Sequence, residues 1–101
     1  MVRNSIVLTD TVIENGAIVD RAIIDKQCVI MQNAHMGYGV DYSPNSVADL
    51  TSGISLMGKN AVIPEGLRVG RNCVIAGDSR PGDFTGNMVP SGTTVGYVPK
   101  G

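Results

Sequence analysis

The sequence predicts an all-β fold, a parallel β-helix built of hexapeptide repeats with loop insertions, and three observations carry that prediction. First, an apolar residue recurs every six positions at Met57, Ile63, Val69 and Ile75. A small or turn-forming residue follows each one, at Gly58, Pro64, Gly70 and Ala76. Such a period fits neither an α-helix, with about 3.6 residues per turn, nor the simple alternation of an ordinary strand. It is the period of a coil whose short strands stack in register on the coil before. Second, four residues beyond each apolar position stand Ala61, Leu67, Cys73 and Ser79, mostly small enough for a narrow interior. Third, 43% of the 101 residues are hydrophobic but only 4% are aromatic, and there is no Trp. A core of Ile and Val fills a slim coil better than a sandwich or a barrel.

Taken in order, the chain shows the period from Ile6 onward as apolar doublets: Ile6-Val7, Val12-Ile13, Ile18-Val19, Ile23-Ile24 and Val29-Ile30. A strict column turns Ile6, Val12, Ile18, Ile24 and Ile30 inward, with Asp10, Gly16, Ala22, Cys28 and Ala34 in the small slots. A competing frame through Ile13 and Val19 also works and breaks at Asp25. The doublets leave both frames standing. Met36 continues the column, and then Gly37 to Ser52 carries turn chemistry and no period, so a loop is expected there. Loops of repeat proteins tend to leave from one face, often the working face. Tyr38 and Tyr42 on this loop are expected either to pack on the coil flank or to present a ligand or partner surface. Gly53-Ile54-Ser55-Leu56 resumes the coil. A second excursion runs from Gly77 to Gly86, Val89 to Val95 adds another hexad, and Tyr97 to Gly101 is expected to cap the last coil.

Charge and composition exclude several functions. The net charge is −1 and the pI is about 5.6, so there is no basic field for nucleic acid. No apolar run reaches spanning length and no signal-like start is present, which predicts a cytoplasmic protein without membrane contact. Cys28 and Cys73 fall in small slots and are expected to be buried thiols rather than a disulfide or a metal pair. His35 is the only histidine. The β-helix carbonic anhydrases need three around zinc, so that activity is excluded. A lone histidine suffices as the general base of a hexapeptide acyltransferase, which keeps that alternative; the plainer reading is a turn histidine at a coil end. No Gly-rich phosphate loop, paired carboxylates or Ser-His-Asp set can be assembled, so no catalytic residue is expected. Lys59, Arg68, Arg71 and Arg80 crowd one part of the chain. They read either as solvated turn residues or as an anion site for a phosphate-bearing effector. Lys59 and Arg71 each follow a glycine at equivalent hexad positions, and fall on different faces if a coil holds three hexads.

The run Ala22-Ile-Ile-Asp-Lys-Gln-Cys-Val-Ile30, the loop, and then Ser52-Gly-Ile-Ser-Leu-Met-Gly-Lys-Asn-Ala-Val-Ile-Pro-Glu-Gly66 carry a resemblance. They resemble the C-terminal left-handed β-helix domain of the glucose-1-phosphate adenylyltransferases. The tail, with Asp83-Phe84 and Val89-Pro-Ser-Gly92, is similar to that of bacterial members. The resemblance implies that residues 1–101 are a single domain, the C-terminal part of a longer nucleotidyltransferase of glycogen synthesis. Its N-terminal domain, absent here, would join ATP and glucose 1-phosphate into ADP-glucose and pyrophosphate with magnesium. The implied partners are that catalytic domain, further copies in a homo-oligomer, and a phosphorylated metabolite as allosteric effector. Some family members use a lysine just before Ser-Gly-Ile, where this chain has Thr51. Lys26 is the better matched basic residue, so the expected effector set is Lys26, Lys59, Arg68, Arg71 and Arg80. The alternatives are a related guanylyl- or uridylyltransferase, a catalytically inactive paralogue, a stand-alone acyltransferase using His35, and a purely structural oligomerisation module.

Overall fold

The computed structural model describes residues 1–96. Thirteen short strands follow one another: β1 (Val2–Arg3), β2 (Ile6–Val7), β3 (Val12–Ile13), β4 (Ile18–Asp20), β5 (Ala22–Ile24), β6 (Val29–Ile30), β7 (His35–Met36), β8 (Ser55–Met57), β9 (Val62–Ile63), β10 (Arg68–Val69), β11 (Val74–Ile75), β12 (Met88–Val89) and β13 (Thr94–Val95). They stack into three sheets: β1-β4-β7-β10-β12, β2-β5-β8-β11-β13 and β3-β6-β9. Every strand-to-strand pairing is parallel. The chain visits the first, second and third sheets in turn and returns, which is the left-handed parallel β-helix of hexapeptide proteins. A 3₁₀ turn, Pro81–Asp83, stands where a further strand of the third sheet would otherwise lie. The cap expected from Tyr97 to Gly101 lies outside the described residues.

Register settles which residue of each doublet points inward. One interior row stacks Val2, Val19, Met36, Val69 and Val89. A second stacks Val7, Ile24, Met57, Ile75 and Val95, and a third Ile13, Ile30 and Ile63. From Met57 to Ile75 this is the column read from the sequence. In the first half it is not: Ile6, Val12 and Ile18 face outward, with Ile6 56% and Val12 51% exposed. The inward frame begins as the competing one, through Ile13 and Val19, and joins the strict column at Ile24.

The cause is a shortened corner between the first and second sheets. Val2 to Val7 and Val19 to Ile24 are five-residue steps, whereas the other corners keep six. Asn4 and Arg21 make this tighter turn with φ near +49° in both. Ser5 Oγ braces it, donating to the Arg3 carbonyl at 2.7 Å and accepting the Ala22 N–H at 3.1 Å. The six-residue corners turn through Asp10, Gln27, Asn33, Asn60, Asn72 and Asp78, all left-handed. Asn and Asp dominate because they tolerate that conformation best among non-glycine residues.

The small slots hold Ala17, Ala22, Cys28, Ala34, Ala61, Leu67, Cys73 and Ser79, all buried. Asp10 and Gly16, expected there, are instead exposed corner residues. Both thiols behave as small buried groups: Cys28 Sγ donates to the Gly58 carbonyl at 3.1 Å and Cys73 Sγ to that of Pro90 at 3.2 Å. Burial pushes both thiols above their ordinary pKa, so they are protonated and unreactive near neutrality.

Candidate functional site

The five basic residues read from the sequence fall in four places. Lys26 and Lys59 share the corner between the second and third sheets in successive coils, joined where the Asn60 N–H donates to the Lys26 carbonyl at 3.0 Å. Both lysines are exposed. Arg68 stands on the outer face of the first sheet, and Arg71 on the corner between the first and second sheets. Arg80 is exposed beside the 3₁₀ turn, its N–H donating to Asp83 Oδ2 at 2.7 Å. The structure therefore pairs the two lysines and separates Lys59 from Arg71, as three hexads per coil require.

The long loop leaves the coil at the first-to-second-sheet corner, between β7 and β8, and folds back along that corner. Gly37 opens it with φ +87°, where an added Cβ would lie 2.1 Å from the Asp20 carbonyl oxygen. Two buried asparagines pin the loop. Asn72 accepts the Gly53 N–H at 2.8 Å and donates to the Tyr42 and Ser43 carbonyls, both at 3.2 Å. Asn45 donates to Thr94 Oγ1 at 2.9 Å and accepts the Val47 and Ala48 N–H groups. The bond to the Gly53 N–H is fully buried and the others partly so; together they satisfy the two buried amides and fix the loop on the coil.

Arginines gather on this corner. Arg71 donates from Nε to the Gly39 carbonyl at 2.7 Å, and its Nη2 lies 3.4 Å from Asp20 Oδ2. Its guanidinium carbon sits 5.0 Å from the centre of the Tyr42 ring, a cation–π distance. Arg3 approaches the same Asp20 oxygen at 3.6 Å. Arg21 Nη1 donates to the Tyr42 hydroxyl at 3.2 Å. On the adjoining sheet face Arg68 lies 5.1 Å from the Tyr38 ring centre. His35 meets the same ring edge-on at 5.3 Å. Both loop tyrosines thus face arginines, and Tyr38 packs on the coil flank.

His35 lies within strand β7 on the outer sheet face, not in a turn as the sequence suggested. It stands between Ile18 and Arg68. Burial holds its pKa below the ordinary 6.5; Asp20 pulls the other way, while Arg3, Arg71 and Arg68 add to the depression. No side-chain hydrogen bond among the described residues orients its ring, so a base positioned by a partner is not assembled. Among the described residues no three His, Cys, Asp or Glu side chains converge as a metal site.

Sequence reading missed Arg3, Asp20, Arg21, Asn45 and Asn72. Asn72 left one signal, an asparagine in a repeat corner beside a basic residue. The others become neighbours only when coils about seventeen residues long stack, or when the loop folds back.

Comparison with known proteins agrees with the architecture. A family model described as GlmU-like, C-terminal hexapeptide, matches residues 1–57. The chain belongs to that hexapeptide family. It is 53% identical over 98 residues to a glucose-1-phosphate adenylyltransferase of Thermomicrobium roseum, covering 95% of this chain and 23% of that protein. A protein of the same name from Acetivibrio thermocellus is 35% identical over 71% of the chain and 17% of its own length. Another, from a Thermotoga species, is 38% identical over 62% of the chain and 15% of its own length. The hexapeptide domain therefore spans less than a quarter of the relatives it matches. No solved structure gives a significant match.

Proposed function

We propose that this domain is the assembly and regulatory β-helix of a sugar-nucleotide pyrophosphorylase, one that joins ATP and glucose 1-phosphate into ADP-glucose and pyrophosphate for glycogen synthesis. The observation that carries this reading is 53% identity across 95% of the chain to a protein named for that reaction. Catalysis, and with it magnesium, is assigned to a separate nucleotide-binding domain of a longer, cytoplasmic polypeptide.

Two features support the division of labour. The outer rows of the second and third sheets are aliphatic up to Thr94, which ends the former: Ile6, Ile23, Leu56 and Val74 on one, Val12, Val29 and Val62 on the other. Between Leu8, Ile23, Leu56 and Val74 lies an apolar groove of about 380 Å³. Such faces suit contact with the catalytic domain and with neighbouring copies in a homo-oligomer. Beside the groove, Lys26 and Lys59 stack in successive coils, an arrangement suited to a phosphorylated metabolite.

The test separates the parts. The 101-residue chain with ATP, glucose 1-phosphate and magnesium is expected to release no pyrophosphate, whereas the longer polypeptide does. A phosphosugar, glucose 1-phosphate at millimolar concentration, is expected to raise the melting temperature of the chain, and Lys26→Gln with Lys59→Gln to remove that rise. Turnover by the short chain would overturn the assignment of catalysis, and an unchanged rise in the double variant would overturn the effector site.

A further inference from the structure

We propose that the loop from Gly37 to Ser52 works as a strap, with Asn45 as a latch that holds the last coil, β12 and β13, closed on the coil beneath it. Releasing the latch opens that coil as a unit while the first coils stay folded.

The last coil is weakly secured by its sheets. The first three coils each place a strand in all three sheets, whereas among the described residues the last places strands in two. The chain reaches it through the 3₁₀ turn, where the third sheet runs out. There the Val62 N–H donates to the Ser79 carbonyl at 2.9 Å, but Pro64 has no N–H to add the next bond. Of the two inward aliphatics of the last coil, Val89 is buried and Val95 only half-buried. A segment with so few buried contacts is the kind that opens locally.

The strap supplies what the sheets do not. Asn45 Nδ2 donates to Thr94 Oγ1 at 2.9 Å, and Asn45 Oδ1 accepts the Val47 and Ala48 N–H groups at 3.0 and 3.1 Å. Asn45 and Leu50 exchange backbone bonds at 2.9 and 3.1 Å, which closes the segment between them into a hook. Asn45 is 1% exposed although Pro44 and Ser46 beside it are exposed. Parting it from Thr94 therefore strands a buried donor. Fit is the second support: a Cβ on Gly92 would lie 2.6 Å from the Pro44 carbonyl oxygen and 2.9 Å from that of Ser43. The last coil thus meets the strap backbone to backbone. Other attachments of the strap lie on earlier coils, from Arg21 to the Tyr42 hydroxyl and from the Gly53 N–H to Asn72. The latch so ties the last coil to the turns before it. It also keeps an edge covered. The N–H groups of Arg68, Gly70, Val74 and Ala76 donate into the last coil at 2.9 to 3.0 Å, and opening leaves them as free strand edges.

The experiment is amide hydrogen exchange, followed by NMR, on the 101-residue chain and on Asn45→Ala, Thr94→Val and the two combined. Asn45→Ala is expected to speed exchange of the Arg68, Gly70, Val74 and Ala76 N–H groups about tenfold. The Leu8, Val12 and Glu14 N–H groups, bonded to the second coil, are expected to keep their parental rates. Thr94→Val is expected to act on the same four groups. The double variant is expected to exchange no faster than the faster single one, because both changes remove the same bond. The proposal is overturned if Asn45→Ala leaves the four groups at parental rates or frees loop amides alone. It is equally overturned if the first coils speed up as much as the last, or if the two single effects multiply in the double variant.

Discussion

Val69 shows how little freedom a single interior position has. It is fully buried and stacked between Met36 and Val89 in adjacent coils. Val69→Asp places an unpaired charge where no water or cation can reach it, at a penalty of several kcal/mol, roughly. The variant is expected to show no cooperative melt by circular dichroism; a parental melt would contradict the register. This position was legible because each hexad from Met57 to Ile75 pairs its inward aliphatic with a small or turn residue. In the first half two aliphatics stand side by side, and only the five-residue turns at Asn4 and Arg21 decide between them. His35 gives a second expectation at this scale. Its pKa is lowered by burial, so the unfolded chain binds the proton more readily. Stability should therefore rise with pH up to about 6.5 and level off above it. His35→Gln should flatten that rise, as measured by urea unfolding across pH.

At the scale of elements, the loop is held by its ends and by two asparagines. Gly37 and Gly39 test the difference between strain and collision, since both have positive φ, +87° and +82°. Beside Gly39 nothing lies within 4 Å of an added Cβ, whereas at Gly37 it strikes the Asp20 backbone. Gly39→Ala should cost about 1 kcal/mol, and Gly37→Ala at least twice that in thermal unfolding. Equal losses would mean that the loop does not enter the coil as described. The loop's bounds were readable from its turn residues and its lack of period. Its clamps were not, because Asn72, Tyr42 and Arg71 are brought together by long-range stacking that no local pattern records. The same reason explains the basic set: Lys59, Arg71 and Arg80 are near in sequence, yet each turn of the coil carries them to a different face.

For the whole molecule, the absence of aromatic bulk and the strict hexads were enough to name the architecture, and the ordered run from Ala22 to Gly66 pointed to the family. The arginine corner went unread, since Arg3, Asp20 and Arg21 carry no motif. In the proposed reading, assembly and regulation rest on surfaces, the aliphatic outer rows and the lysine corner, rather than on catalytic side chains. The most direct test is pyrophosphate release from ATP and glucose 1-phosphate, measured in parallel for the 101-residue chain and for the longer polypeptide. The account expects turnover in the longer protein alone. Turnover by the short chain, or a longer protein that accepts a different nucleotide and sugar phosphate, would contradict it.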